Sequence, residues 1–538
     1  MNNEIINFCL KKGLLVDKEV LNIFHGDDPE SIKLFLEKIG KYTQKRFLTK
    51  TILFENKEVV NKFFSDLPSD KQQKLENLKI KLGLSIEISR KSEVVEKVEE
   101  NLNDSFVKTD FVDKIEYKKL EVKDFVTYFR NRFNEMKVFL MEHSELKNLV
   151  SINKLQGSHS NVSLIGIVFG VRKTKNKNII LEIEDLTGRI NILINKEKKE
   201  LLEKVEELAI DSVVGFIGSG SREIFFANDV VFPDVGLPER KKAKVEEYAL
   251  FIGDLHFGSK LFLEKSFLKF IDYLNGEFPN TPEVNKIKYL FLVGDIVTGI
   301  GVYPNQEYEL EIKNLEEQFV ALAEMLGKIR KDIKIIISPG NHDGVRLMEP
   351  QPVLDEKFAW SLYDMENVIM TGNPAYVNIG VRKNFSGLDV LTYHGCSFPY
   401  FANSVMRLLV NKAMNTPEEI TKYLLKHRHL APTHASWQYC PIEKDAHIIR
   451  KIPDIVVTAH THKSAVSYYN NILIISVSCW EAMTPYQEKF GNTPDHCKVP
   501  MLNLKTRAVK ILDFEETSPQ NTERRHLSKT REPTQNQG

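Results

Sequence analysis

Cysteine is scarce in this chain. The five present (Cys9, Cys396, Cys440, Cys479 and Cys497) form no Cys-x-x-Cys pair. That excludes a zinc ribbon and a disulfide framework, and it points to a reducing compartment. Also missing is any apolar run of the ~18 residues that a membrane helix needs, and Met1 to Leu10 holds no apolar signal core. The expectation is a cytoplasmic protein with no membrane partner. Charge of one sign is lacking too, since 74 Lys and Arg balance 74 Asp and Glu. Nucleic-acid binding must therefore rest on local patches: Lys173, Lys175 and Lys177; Arg240, Lys241, Lys242 and Lys244; Lys422, Lys426, His427, Arg428 and His429. Each patch is either a phosphate track or a solvated face. What is present, 42% hydrophobic and 28% charged residues over 538 positions, is the composition of a globular protein with two to four domains.

Short β-branched runs carry the strongest pattern. Ala249 to Ile252, Tyr289 to Val293, Ile333 to Ile337, Val390 to Tyr393 and Ile455 to Thr458 all read as buried strands. Each is followed within a few residues by a potential metal ligand. In order these are Asp254 with His256, then Asp295, then Asn341-His342-Asp343, then His394, then His460 with His462. In an α/β sheet the carboxyl ends of neighbouring strands open on one crevice, so residues distant in sequence meet there.

The residue types define the chemistry. Carboxylates, imidazoles and an amide oxygen, with no thiolate, suit Mn²⁺, Mg²⁺, Fe or Zn²⁺ in a hydrolytic site. Asp254, His256, Asp295, Asn341, His394, His460 and His462 are too many ligands for one ion that must keep a position open. Two ions sharing a carboxylate can clamp both oxygens of a phosphoryl centre, and Asp295, after a central strand, is the candidate bridge.

These motifs, Asp254-Leu255-His256, Gly294-Asp295, Gly340-Asn341-His342-Asp343, His394 and Ala459-His460-Thr461-His462, resemble those of the calcineurin-like metallophosphoesterase superfamily. One departure is Ala459 where that family has glycine, tolerable unless the backbone there needs a positive φ. The resemblance implies that Asp254, His256 and His462 hold one ion, that Asn341, His394 and His460 hold the other, and that Asp295 bridges them. It further implies that His342 is catalytic, stabilising charge on the phosphate or protonating the leaving oxygen. Asp343 is either the partner that orients this imidazole or a turn residue capping the next helix.

Along the chain, residues 1–85 show helical spacing (Ile32, Leu34, Phe35, Ile39) and read as a small helical N-terminal interaction module. Residues 86–120 are polar and charged and read as a flexible linker, 121–155 as a helical connector, 156–238 as an OB-type β-barrel of five strands, 245–514 as the metallophosphoesterase domain and 515–538 as a disordered tail. The barrel either stacks bases, with Phe225 and Phe226 as its exposed aromatics, or is structural. The tail's Arg524, Arg525, Lys529 and Arg531 either touch DNA or are solvated. The fold class is multidomain α/β, an OB-type barrel followed by an αββα sandwich.

This order of domains resembles the small-subunit family of the archaeal family D replicative polymerases. Pro233-Asp234-Val235-Gly236-Leu237-Pro238, Tyr303-Pro304-Asn305-Gln306, Glu349-Pro350-Gln351-Pro352, His429-Leu430-Ala431-Pro432-Thr433 and Pro453-Asp454-Ile455 carry the closer match. The resemblance implies a 3′-to-5′ exonuclease that proofreads for a separate large polymerase subunit, with DNA 3′ ends, single-stranded or mismatched, as substrate. It implies two divalent ions, Mn²⁺ first and Mg²⁺ second, and the sliding clamp as a further partner. Two other readings stay open: a scaffold subunit with little catalysis, and a phosphomonoesterase of the same superfamily.

Overall fold

The computed structural model describes residues 118–516, together with 106–112, 115 and scattered positions between 5 and 48. The chain divides into two compact units, residues 1–102 and 103–538. In the first, the described residues include a parallel pair, β1 (Leu15–Val16) with β2 (Phe47–Leu48). Most of the expected helical module, and all but two residues of the expected tail, lie outside the described residues.

Two six-stranded sheets form the second unit's centre. The first is built on β9 (Tyr248–Ile252), β10 (Ile287–Val293), β11 (Lys334–Ser338) and β12 (Val368–Met370), all parallel, and is extended past β9 by β18 (Lys498–Asn503) and β19 (Val509–Asp513). The second runs β16 (Ala465–Tyr469), β17 (Ile472–Ser476), β15 (Ile455–Thr458), β14 (Leu388–Tyr393), β13 (Ala375–Val381) and β3 (Phe106–Phe111), with β14, β15 and β17 parallel. Parallel strands buried on both faces read as unbroken apolar runs, and β10, Ile-Lys-Tyr-Leu-Phe-Leu-Val, is one.

The sheets face each other through Phe251, Phe291 and Val293 on one side and Val390, Val457 and Ile475 on the other. Helices Glu264–Leu274 and Leu315–Leu326 cover the first sheet's outer face through Phe267, Phe270, Phe319 and Leu322. Helices Phe398–Ser404 and Pro417–His427 cover the second through Phe401, Leu424 and Leu425. The result is the four-layer helix–sheet–sheet–helix sandwich expected of a phosphoesterase.

Five strands close into a barrel in the order β4 (His159–Lys173), β5 (Ile179–Asp185), β6 (Gly188–Ile194), β8 (Phe225–Val231), β7 (Val213–Gly220). Phe225, expected on its surface, is fully buried, because strand alternation turns it into the barrel core and leaves Phe226 outside. Helix α1 (Val122–Met141) bridges barrel and sandwich, packing Phe133, Met136 and Leu140 on Ile165, Ile167, Val213 and Ile448.

The expected linker 86–120 is shorter than read, because β3 lies within it. This strand pairs antiparallel with β13 at the sheet's edge, packs Val107 on the core and leaves Lys108, Thr109 and Asp110 exposed. Polar residues facing solvent are how an edge strand avoids further pairing, and they disguise it as a linker.

Candidate metal centre

The loops after β9, β10 and β11 in one sheet and after β14 and β15 in the other meet at one end of the sandwich. Their backbone is unusual: Asp254 (φ +46°), His256 (+48°), Asp295 (+48°), His460 (+68°) and His462 (+57°) are all left-handed. Such conformations cost on the order of 1–3 kcal/mol each at non-glycine residues and persist only where surroundings enforce them. Cross-loop hydrogen bonds do so here. Asp254 N donates to Gly294 O at 3.0 Å, His256 N to Asp295 O at 3.0 Å, and Ala459 N to His394 O at 3.0 Å. Ala459 itself is not among the left-handed residues, which explains how alanine is accepted there. Glycine is required at Gly294 and Gly340: a Cβ on the first would drive into His394 Nδ1, and on the second into Asp295 Oδ1.

All seven expected ligands converge. His256 Nε2 lies 3.2 Å from His462 Nε2, and His462 Nε2 lies 3.8 Å from Asp254 Oδ1. On the other side His394 Nε2 lies 3.0 Å from Asn341 Oδ1 and 3.2 Å from His460 Nδ1. Asp295 Oδ2 stands between the two sets, 3.2 Å from His394 Nε2.

Burial sets the protonation states. It pushes the pKa of His460 down to about 3, that of His462 down to about 4 and that of His256 well below the ordinary histidine value, so all three are neutral with lone pairs available. Burial also opposes the charge of Asp295, but the imidazoles of His394 and His342 outweigh it and hold the carboxyl well below its usual range. At His394 burial disfavours the charge, yet Asp295 prevails and pushes the pKa up to about 9. Burial pushes Asp254 up. Neutral imidazoles such as those of His256, His460 and His462 are the forms a divalent ion binds, whereas His394 and Asp254 would release their protons on binding; with the Asn341 amide oxygen these side chains make a nitrogen–oxygen donor set that fits divalent ions.

His342 stands beside His256 and Asp295, close enough for the three to hold an ion together. Its ring Nδ1 donates to Thr298 O at 2.8 Å, which leaves Nε2 facing Asp295 Oδ2 at 4.0 Å. Asp343, expected either to orient this imidazole or to cap the next helix, does neither. Its buried carboxylate accepts from Val297 N at 2.9 Å and Gly340 N at 2.7 Å, clamping the β10 and β11 loops together. The orienting group is a backbone carbonyl, which no sequence pattern announces.

Two further side chains were not foreseen. Cys396 Sγ lies 3.7 Å from Asn341 Oδ1, beside His394 and His460. Burial pushes its thiol pKa well up, so it stays protonated and is a poor ligand. Gln487 Nε2, 2.8 Å from His462 Nδ1, fixes that ring from behind.

Comparison with known proteins identifies the family. Residues 249–464 match the calcineurin-like phosphoesterase family, which is the class that fold and site define. Over 518 residues the chain is 33% identical to the "DNA polymerase II small subunit" of Methanothermobacter thermautotrophicus, covering 95% of this chain and 100% of that protein. It is 36% identical to the proteins of that name from Pyrococcus furiosus, covering 73% of this chain and 64% of the relative, and Archaeoglobus fulgidus, covering 69% and 73%. The chain belongs to the archaeal DNA polymerase II small-subunit family.

Proposed function

We propose that this chain is the small subunit of a replicative DNA polymerase and hydrolyses phosphodiesters from the 3′ end of DNA, removing unpaired or mismatched nucleotides for a separate large polymerase subunit. The observation that carries the reading is the complete donor set around Asp295 with the Nε2 edge of His342 facing it. A scaffold could use such donors to cross-link the two sheets, but it would have no use for an imidazole edge turned towards them.

Asp254, His256 and His462 would hold one ion, Asn341, His394 and His460 the other, with Asp295 shared and Mn²⁺ the first choice. Bound there, the ions supply an acidified water as nucleophile and positive charge for the phosphorane. The chain's own residues do the rest. With Nδ1 committed to Thr298 O, His342 turns Nε2 to the cleft, where its protonated form donates to the departing 3′-oxygen. Gly340 and Gly294 allow backbone and imidazole to approach Asp295 closely. The five-stranded barrel, read as OB-type, would serve with the phosphoesterase domain as the platform for the large subunit and the clamp.

The test is Mn²⁺-dependent shortening of a 3′-mismatched primer by the full chain, with and without the large subunit. Asp295→Ala and His342→Ala are expected to abolish shortening while remaining folded by circular dichroism. A wild-type chain inert in both settings overturns the exonuclease assignment in favour of a scaffold.

A further inference from the structure

The segment Tyr303-Pro304-Asn305-Gln306 plays no part in holding metal, yet it is built onto the site. Gln306 is 1% exposed. Its Nε2 donates to Thr298 O at 2.9 Å and its Oε1 accepts from Val302 N at 2.9 Å. Thr298 O is the same carbonyl that orients His342. The loop is held from behind as well: Gln318 Oε1 accepts from Gly299 N at 2.9 Å, and Lys260 N donates to Glu309 O at 3.0 Å.

This frame presents one aromatic ring. Tyr303 sits edge-to-face with His342, ring centroids 6.3 Å apart and planes at 61°, and is 38% exposed. Its hydroxyl donates to Glu309 Oε2 at 2.6 Å, which fixes the ring's far end. Among the described residues, the rings recorded beside His342 are Tyr303 and His256, and His256 is a candidate ligand. Tyr303 is thus a rigid, half-open π-face one ring away from the group that meets the scissile phosphate. That is the span between a nucleotide's phosphate and its own base. An immobilised tyrosine loses little entropy on stacking and accepts any base.

We infer that Tyr303 is the stacking platform for the unpaired nucleobase flanking the scissile phosphate, and so makes the site prefer single-stranded ends. A paired base is held in its own stack and cannot also lie on Tyr303. The inference rests on the exonuclease reading for its substrate, but it concerns binding and can be tested apart from cleavage.

The experiment compares wild type, Tyr303→Ala and Tyr303→Phe, as full chains with Mn²⁺, on an oligothymidylate 3′ end and on the same strand ending in two abasic residues. Tyr303→Ala is expected to lower kcat/KM about tenfold or more on the base-bearing end. The abasic end should lose far less, and Tyr303→Phe, which keeps the ring but not its hydroxyl bond to Glu309, should recover most of the wild-type ratio. Equal loss on both ends, or no loss on either, overturns the inference while leaving the exonuclease reading intact. Quenching of a terminal 2-aminopurine with Ca²⁺ in place of Mn²⁺ decides the case where the wild type does not cleave. Quenching lost in Tyr303→Ala then supports the platform, and absence of quenching in the wild type overturns it.

Discussion

At Gly294 a single methyl group separates an assembled centre from a broken one. The residue has φ +72°, and a Cβ would enter the space of His394 Nδ1, a ring that is itself fully buried and cannot swing away. Gly294→Ala should therefore displace His394 from Asp295 and cost one of the two ions. Displacing supporting groups of a metal site typically lowers affinity or activity about 10- to 100-fold, and a ligand loses at least that. Mn²⁺ stoichiometry by titration calorimetry is expected to fall from two to one, and primer shortening with it. Two ions bound at wild-type affinity would show that the loop has room the structure does not display. The donors themselves were legible in the sequence because each stands just past an apolar run whose strand character is unambiguous. Thr298 and Asp343 were not: a carbonyl's role has no residue signature, and a carboxylate next to a histidine says nothing about which N–H it faces.

Among the elements, α1 carries a buried cation into the sandwich. Its Arg132, 2% exposed, donates to Asp445 Oδ2 at 2.8 Å, Pro432 O at 2.6 Å and Tyr128 OH at 3.0 Å. Asp445 also accepts from His429 Nε2 at 2.9 Å. Removing one partner of a buried pair leaves the other charge uncompensated, so Arg132→Met should cost about 3–5 kcal/mol in urea unfolding. A cost under about 1 kcal/mol would mean that water reaches Asp445. His447 extends this cluster, with Nε2 donating to Glu349 Oε2 at 2.7 Å. Burial disfavours its charge, but hydrogen bonds to Asp445 and Glu349 outweigh burial and raise its pKa from 6.5 to about 9. A histidine raised on folding contributes fully below its unfolded value and loses that contribution as pH climbs to the folded one. Between pH 6.5 and 9 the wild type should therefore lose stability faster than His447→Gln, by at most about 1.4 kcal/mol per pH unit. Parallel curves would place the proton elsewhere in the cluster. A helical connector was read at 121–155 and α1 fills only its first part, Val122–Met141, whereas β3 was not read at all, since an edge strand with Lys108, Thr109 and Asp110 outward resembles a linker until its partner β13 is known.

For the second unit as a whole, the candidate metal centre draws its donors from both sheets. Asp254, His256, Asp295 and Asn341 come from the loops of one sheet, His394, His460 and His462 from the other. Contacts between the two sheets at this end include Asp295–His394 at 3.2 Å, Asn341–His394 at 3.0 Å, His256–His462 at 3.2 Å and His460 N donating to Asp254 Oδ2 at 2.9 Å. Ions bound by ligands from both sides act as a cross-link that the unfolded chain cannot form. Stabilisation then follows mass action, about 2.7 kcal/mol when free ion is a hundredfold above Kd. After chelation, adding Mn²⁺ should raise the melting temperature of the wild type and slow amide exchange in β9, β10, β14 and β15 together, with the barrel strands β4 to β8 little changed. Asp295→Ala, lacking the shared carboxylate, should show neither effect. An equal rise in that variant would mean that Mn²⁺ binds elsewhere. Protection confined to one sheet would mean that the ions sit on one side of the cleft, and that the convergence of the seven donors does not make a shared two-ion centre.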